Sequence, residues 1–181
     1  MEEKVILVDS SDRELGEMEK MEAHLKGELH RAISVIVFNS RNEMLLQQRA
    51  FSKYHTPGLW SNTCCSHPRP GENVEKAANR RLLEEMGFQC HLVKAFDFVY
   101  KASFSNGLIE HEFDHVFIGA FDQNPSVNPE EAHAFRWITI DSLKKEMKAT
   151  PEAFTIWFRL IIDQMVQQNP EVVKQILHLN N

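Results

Sequence analysis

The sequence predicts a mixed fold, α/β (α+β), in which helices cover both faces of a mixed sheet. Additional helices follow at the C-terminus. Three observations lead to this prediction. Strand-like runs lie on both sides of one amphipathic helix near the middle of the chain. Strands and helices do not alternate as regular βαβ units. The segments after residue 140 have helical patterns and no strand pattern.

The composition is that of an ordinary globular protein, with 43% hydrophobic and 25% charged residues. The length of 181 residues predicts a single domain, 1–181. A net charge of −6 does not indicate a nucleic-acid-binding protein, which would be expected to carry an excess of positive charge. The chain has no apolar run that could span a bilayer, and its acidic beginning lacks a secretory h-region. Three cysteines, an odd number, argue against a disulfide framework, so we expect a reduced, cytoplasmic protein.

The first part of the chain predicts three strands and a long loop. The run "KVILVD" (residues 4–9) predicts a short strand, and "SSDREL" predicts a turn. The runs "AISVIVFNS" and "MLLQQRA" predict a hairpin, because "NSRNE" between them favours a turn. The segment "FSKYHTPGLWSNTCCSHPRPG" (residues 51–71) predicts a loop, since prolines and glycines interrupt it. A loop this long inside a domain is usually functional.

The central helix is predicted by "ENVEKAANRRLLEEMG", in which Val74, Ala77, Ala78 and Leu82 recur on one face. Gly87 favours its end. The runs "HLVKAFDFVYKA", "LIEHEFDHVFIGAF" and "FRWITI" then predict strands, the second with near-strict alternation of apolar and polar residues.

Three C-terminal helices are predicted next. The first, "DSLKKEMKA", has Asp141 as its N-cap. The second, "TPEAFTIWFRLIIDQMVQQ", has Thr150 as N-cap and Pro151 at its first position. The third, "NPEVVKQILHL", begins in the same way as the second.

Two carboxylates share one face of the longest predicted strand. Side chains alternate along a strand, so Glu110 and Glu112 point the same way, with Cα atoms about 6.5–7 Å apart. His111 and His115 then lie on the other face. Such a pair could share a cation, or serve as ligand and proton carrier. Since glutamate is mostly exposed, a solvated polar face is the commoner explanation of an isolated E-x-E strand.

Histidines and cysteines supply further candidate ligands. Histidine is the commonest side-chain ligand of transition metals, and His24 and His30, six residues apart, could bind one ion. Two surface histidines are the commoner explanation of such a pair, since the chain has nine histidines. His67 is a third histidine, two residues after Cys65. Adjacent Cys64 and Cys65 do not have the spacing of a structural zinc site. An inert buried thiol is the ordinary alternative. The surrounding loop instead favours a reactive thiol beside a histidine and a metal.

The segment from Ser66 to Phe88 resembles the Nudix signature G-x5-E-x7-R-E-U-x-E-E-x-G-U, where U is bulky and apolar. The positions that match are Glu72, Arg80, Leu82, Glu84, Glu85, Gly87 and Phe88. Ser66 replaces the first glycine, which would strain the loop if that position needs a positive φ. Arg81 replaces a glutamate, which removes a metal ligand and adds a cation for diphosphate. The pattern predicts diphosphate binding with altered hydrolysis; a charged surface helix is the alternative.

Beyond this signature, the chain resembles the type 1 isopentenyl-diphosphate Δ-isomerases, a Nudix-fold family, over about residues 4–160. The resemblance rests on "EKMEAHLKGELHRAIS", "LLQQRAFSKYHTPGLWSNTCCSHPRPGE", "RRLLEEMG", "GLIEHE" and "ATPEAFTIW". It implies a Nudix-like α/β/α sandwich. It also implies a metal-assisted 1,3-allylic proton shift between isopentenyl diphosphate and dimethylallyl diphosphate. The protein would be a monomer or homodimer acting on a small diphosphate, with no nucleic acid, membrane, flavin or NAD(P).

The resemblance also implies roles for single residues. Glu112 would act as the acid and Cys65 as the base. A divalent ion, Mn²⁺, Zn²⁺ or Mg²⁺, would bind His24, His30, His67, Glu110 and Glu112. A second ion, Mg²⁺, would be held by Glu85, the carbonyl of Cys65 and the substrate. The substrate would contact Lys20, Arg49, Lys53, Ser66 and Arg81, while Tyr100 would relay a proton and Trp157 would stabilise a carbocation.

Three other functions fit parts of the pattern. An ordinary Nudix hydrolase explains the signature but not Arg81 or the histidines and cysteine. A metal-binding module without catalysis explains the ligands and predicts no turnover. A redox-sensing Cys64–Cys65 pair predicts an activity that responds to thiol oxidants.

Overall fold

The computed structural model describes residues 3–168, and it confirms the predicted mixed α/β fold. The strands are β1 (Lys4–Val8), β2 (Glu14–Glu19), β3 (His30–Phe38), β4 (Glu43–Arg49), β5 (Trp60–Ser61), β6 (Cys64–Ser66), β7 (Leu92–Ser103), β8 (Ile109–Ala120) and β9 (Ala132–Thr139). The α-helices are α1 (Lys20–Lys26), α2 (Val74–Met86), α3 (Ile140–Ala149) and α4 (Ile156–Asp163). The helix predicted at "NPEVVKQILHL" lies outside the described residues. No helix between residues 3 and 168 is long and apolar enough to cross a membrane.

Strand β3 lies at the centre of one mixed sheet. It runs parallel to β8, in a register that places His30 beside Glu112 and Phe38 beside Ala120. On its other side it pairs antiparallel with β6, from Ile33–Ser66 to Val35–Cys64. Strand β7 then pairs with β8 as an antiparallel neighbour. Segments far apart in the sequence therefore meet at the beginning of β3.

The predicted hairpin of β3 and β4 forms only at its turn. Phe38 and Met44 are the one residue pair in register between these strands. Strand β4 then pairs with β9 and β5 instead. The reason is that β6, from the predicted loop, takes the place beside β3 that β4 would otherwise occupy.

Two apolar layers cover the sheet, because alternate side chains of β3 face opposite sides. One layer contains Ile33, Val35 and Val37 together with the apolar face of α2, made of Ala78, Leu82 and Met86. The opposite layer contains Ile36 and Phe38 together with Trp157, Phe158, Ile161 and Ile162 of α4. The packing explains why α2 and α4 are amphipathic, and it fixes both helices relative to the strands.

One predicted helix start is wrong, and another predicted helix is interrupted. The N-cap of α3 is Thr139, whose hydroxyl accepts from the Ser142 amide, so Asp141 lies in the first turn. Thr150 and Pro151 begin a helix as predicted, but this helix is only the 3₁₀ turn Pro151–Ala153, and α4 begins at Ile156. Pairing with β5 interrupts the predicted helix, since the Thr155 amide donates to the Trp60 carbonyl at 2.9 Å. A π-helical turn, Gln164–Gln168, continues α4.

The predicted loop between residues 51 and 71 is partly strand. Asn62 stabilises the segment by donating its side-chain amide to the carbonyls of Val35, at 3.2 Å, and Cys64, at 2.7 Å. Ser66 belongs to β6, and it is not among the described residues with positive φ. The serine that replaces the signature glycine is therefore not strained.

An ion pair between Glu72 and Arg80 ties the end of this loop to α2. The Arg80 guanidinium donates to both carboxylate oxygens of Glu72, each at 2.7 Å, and the Arg69 amide donates to Oε2 at 2.9 Å. Both side chains are mostly buried. The hydrogen bonds from Arg80 are the main reason that the pKa of Glu72 is lowered from 4.5. The ionised carboxylate therefore stabilises the fold.

The substitution Glu72→Gln is expected to lower the free energy of unfolding by about 1–2 kcal/mol at pH 7, because a charge-assisted pair is lost. The folded-state pKa lies below the unfolded value, so this stabilisation is present above about pH 4.5 and is lost as the pH falls through the folded pKa. Urea unfolding from pH 7 to pH 3.5 should show the two proteins converging at acid pH. Glu130→Gln, on the exposed surface, is the control; a difference that persists unchanged in acid would contradict the ion-pair argument.

Candidate active site and metal centre

One pocket brings the predicted site residues together. Twelve of them line it: Lys20, Arg49, Lys53, Cys65, Ser66, His67, Arg81, Glu85, Tyr100, Glu110, Glu112 and Trp157. His24 and His30 are fully buried and contact the carboxylates of Glu110 and Glu112. The pocket thus has a histidine–glutamate part, a cysteine, and a part rich in cationic side chains.

Five side chains from separate elements converge in the first part. They are His24 of α1, His30 of β3, His67 after β6, and Glu110 and Glu112 of β8, and one ligand atom of each lies within 4.8 Å of the others. All five are buried. The parallel register of β3 and β8 places His30 beside Glu112, and Gly27, at φ 66°, ends α1 so that the chain turns into β3.

The hydrogen bonds of two histidines prepare them to bind a cation. His24 Nδ1 lies 2.6 Å from the Lys20 carbonyl, and His30 Nδ1 lies 2.8 Å from the Glu28 carbonyl. Carbonyls only accept, so both Nδ1 atoms carry hydrogen, and in the neutral form of each ring Nε2 has the free lone pair. Among residues 3–168, neither Nε2 has a hydrogen-bond partner, and neither does Oε2 of Glu110, which lies 3.3 Å from His24 Nε2. Buried polar atoms without partners call for an explanation, and a bound cation supplies one.

Glu112 is held from two sides. The Tyr100 hydroxyl donates to Oε2 at 2.6 Å, and His67 Nε2 lies 2.9 Å from Oε1. Burial opposes the charge of Glu112, but the neighbouring His30 and His67 hold its pKa well below the usual value. Burial lowers the pKa of His67 to about 4. Carboxylate and imidazole groups together are a donor set that suits a divalent metal.

The two adjacent cysteines differ completely in their surroundings. Cys64 is fully buried in the apolar layer under α2, whereas Cys65 lines the pocket. Burial raises the pKa of the Cys65 thiol to about 12, against the opposing charge of Arg49. The Cys65 sulfur lies 3.9 Å from Ser61 Oγ, which also accepts from Trp157 Nε1 at 3.0 Å. The alternation along β6 therefore assigns one thiol to the core and the other to the pocket.

The cationic part of the pocket is only partly neutralised by carboxylates. Arg81 donates to Glu85 at 2.7 Å and to Glu131 at 3.0 Å, and Lys53 also pairs with Glu131. Arg49 is 8% exposed, and within residues 3–168 no carboxylate forms an ion pair with it. A buried guanidinium without a carboxylate is costly, so this position fits an anionic substrate group.

Comparison with known proteins decides the family. The sequence model of the NUDIX domain matches residues 28–158. A protein named isopentenyl-diphosphate Delta-isomerase, from Pectobacterium atrosepticum, is 55% identical over 157 residues, covering 87% of this chain and 88% of that protein. This chain belongs to the isopentenyl-diphosphate Delta-isomerase family. A second member, isopentenyl-diphosphate Delta-isomerase 2 from Aromatoleum aromaticum, is 52% identical over 92% of this chain and 88% of its own.

Solved structures confirm the predicted Nudix fold of this isomerase-family chain. A protein from Deinococcus radiodurans superposes with a TM-score of 0.70 at 21% identity, covering 81% of this chain and 90% of that one. A MutT protein from Methanosarcina mazei gives a TM-score of 0.65 at 16% identity, covering 78% and 95% of the two chains. At these identities the likeness concerns the fold alone.

Four residues that line the pocket of this isomerase-family chain were not predicted from the sequence: Gln47, Tyr54, His55 and Glu131. Gln47 donates to Glu85 Oε2 at 2.9 Å, and His55 Nε2 lies 3.0 Å from Glu110 Oε1. His55 follows Lys53 by two residues, so their common loop was an available signal. Nothing in the sequence marked Glu131, because the loop before β9 carries no motif.

Proposed function

We propose that this chain interconverts isopentenyl diphosphate and dimethylallyl diphosphate by a metal-assisted 1,3-allylic proton shift. The observation that supports this most is one pocket that joins three parts. These are a cluster of three histidines and two glutamates, the half-buried thiol of Cys65, and cationic side chains that fit a diphosphate. Such a pocket can hold the charged end of the substrate while proton donor and acceptor groups face its hydrocarbon end.

The diphosphate would bind at the cationic part of the pocket, with Arg49 as the main contact and Lys20, Lys53, Ser66 and Arg81 around it. Arg49 fits this role because it is buried and lacks a carboxylate partner between residues 3 and 168. A Mg²⁺ ion shared with the diphosphate would be held by Glu85, which is 3% exposed, and by the Cys65 carbonyl. Binding there would exclude water from the pocket and protect a cationic intermediate from capture.

The histidine–glutamate cluster would hold a second divalent ion, Mn²⁺, Zn²⁺ or Mg²⁺, through His24, His30, His67, Glu110 and Glu112. Its positive charge would fix Glu112 and make a proton on that carboxyl more acidic. Glu112 has to acquire the proton that it delivers. The Tyr100 hydroxyl, which donates to Oε2 at 2.6 Å, would pass it.

The proton shift would then need two groups. The carboxyl of Glu112 adds a proton to the terminal carbon of the double bond, which leaves a tertiary cation. The Cys65 thiolate removes a proton from C2, so one proton is gained and one is lost. The resting thiol has a pKa of about 12 and the resting carboxyl of Glu112 is ionised, so one proton has to pass from Cys65 to Glu112 before the reaction, and the charge of Arg49 favours the thiolate. Trp157, whose ring lies 5.3 Å from the Arg49 guanidinium, would face the cation.

The test is incubation of the purified protein with isopentenyl diphosphate and Mg²⁺, with and without Mn²⁺. Acid-labile allylic diphosphate and released phosphate or pyrophosphate are measured together. Allylic product without phosphate release supports the proposal. Absence of allylic product with every metal, together with phosphate release from another diphosphate, would leave a Nudix hydrolase and overturn it.

Arg49→Gln is expected to weaken substrate binding about 10–100-fold, because a hydrogen bond to a charged group contributes about 1.5–3 kcal/mol. Calorimetric titration with isopentenyl diphosphate in the presence of Mg²⁺ measures the Kd directly. Arg41→Gln, in the exposed turn between β3 and β4, is the matched control. Equal affinities for Arg49→Gln and the wild type would show that the diphosphate binds elsewhere.

A further inference from the structure

His55 lies between the histidine–glutamate cluster and the substrate part of the pocket. Its side chain is 7% exposed, and Nε2 lies 3.0 Å from Oε1 of Glu110. A carboxylate only accepts, so the Nε2 atom donates to it. His55 is not one of the five clustered ligands, and its contact is with a ligand.

The contact makes the two oxygens of Glu110 different. His55 holds Oε1, whereas Oε2 has no hydrogen-bond partner in the described part of the chain and lies 3.3 Å from His24 Nε2. Glu112 is similar in one respect: Tyr100 holds Oε2, and Oε1 lies 2.9 Å from the cluster histidine His67. In both carboxylates one oxygen is held by a neighbouring side chain and the other belongs to the cluster.

The ring of His55 is itself fixed by its neighbours. It stacks on Phe104, with centroids 5.5 Å apart and planes 14° apart. It meets Trp157 edge-on at 5.7 Å. The Arg49 guanidinium lies 3.4 Å from the His55 carbonyl. Packing on two aromatic rings leaves the imidazole little freedom, so the position of Nε2 is set before any ion binds.

We propose that His55 is a positioning residue of the metal centre, which holds Glu110 through Oε1 so that Oε2 faces the ion. The proposal rests on the proposed function, because it requires that the cluster binds a divalent metal. Side chains that orient a metal ligand typically change metal affinity 10–100-fold when they are removed. The loop that carries Lys53 for the diphosphate thereby also shapes the metal centre.

The test compares His55→Leu with His55→Gln by calorimetric titration of the metal-free protein with Mn²⁺. Both side chains fill the space between the rings, but only glutamine can donate to Glu110. We expect the Mn²⁺ Kd to rise about 10–100-fold in His55→Leu and to return towards the wild-type value in His55→Gln. His91→Ala, on the exposed surface, is the control. Thermal unfolding without metal checks that each variant folds.

Different failures point to different conclusions. Wild-type Mn²⁺ affinity in His55→Leu overturns the positioning role of His55 while the metal centre stands. An equal loss in His55→Leu and His55→Gln also overturns it, because the hydrogen bond would then not matter. A wild-type protein that binds no divalent metal refutes the metal centre of the proposed function, and the role of His55 fails with it.

Discussion

Cys65→Ala is expected to lower kcat for isomerisation about 10³–10⁴-fold, near the upper end of what a general base contributes. Alanine cannot take the proton from C2, and no second thiol faces the pocket from β6. The KM should change little, because the cationic side chains that would bind the diphosphate are untouched. Steady-state rates with isopentenyl diphosphate, and exchange of substrate protons with deuterated water, measure the loss.

Cys64→Ala is the matched control, one residue away in the sequence. The Cys64 side chain is fully buried in the apolar layer under α2. Its removal should cost about 1 kcal/mol of stability, as a small cavity does, and should leave kcat close to the wild-type value. Retained turnover in Cys65→Ala, or its loss in Cys64→Ala, would contradict the assignment of the base. A redox pair would instead make both variants insensitive to thiol oxidants while they remain active.

The elements that the sequence predicts best are those whose residues form one regular face. Helix α2 has a continuous apolar face and ends at Gly87, as predicted. Strand β8 was also predicted from its alternating residues, although the structure buries both of its faces from Glu112 to Gly119. Periodicity reports which face is buried, and burial is largely a local property of such elements. The prediction of these elements therefore needed no knowledge of their partners.

The errors concern which segments pair, which a local pattern does not contain. Nothing in "MLLQQRA" shows that β4 pairs with β9 instead of β3, because this depends on the pairing of β6 with β3. Likewise, Thr150 and Pro151 form a good helix start by local rules. The bond from the Thr155 amide to β5 overrides those rules. Strand β2 was not predicted because it has few apolar residues and is largely exposed, and helix α1 was not predicted because it has only seven residues.

The candidate site shows the same limit more sharply. Taken alone, Glu110 and Glu112 favoured an exposed polar face, whereas the structure buries both. Their burial follows from the parallel pairing of β8 with β3 and from histidines supplied by other segments. The family resemblance supplied that long-range information. It did not supply His55 or Glu131, whose contacts depend on loop geometry in this chain.

Glu112→Gln is expected to lower kcat about 10³–10⁴-fold. It is also expected to weaken Mn²⁺ binding about 10-fold or more. Glutamine keeps an oxygen that can accept from Tyr100, but it can neither carry the proton nor offer a charged ligand. Tyr100→Phe is the matched variant, because it removes only the hydrogen bond to Oε2. We expect it to keep Mn²⁺ binding and to lower kcat about 10-fold, in line with the loss of one hydrogen bond to a charged group.

The two roles of Glu112 separate when turnover is measured at rising Mn²⁺ concentration. If Glu112 is only a metal ligand, its substitution lowers the occupancy of the metal site, and a high Mn²⁺ concentration restores that occupancy. The kcat of Glu112→Gln would then recover once the metal site is saturated. If Glu112 also delivers the proton, a fully occupied metal site does not restore that step, and kcat stays low at saturation. Calorimetry on the same samples shows when saturation is reached. Recovery of kcat would contradict the role of Glu112 as the acid. Another group would then deliver the proton, and Tyr100, which donates to the Glu112 carboxylate, would be the first candidate.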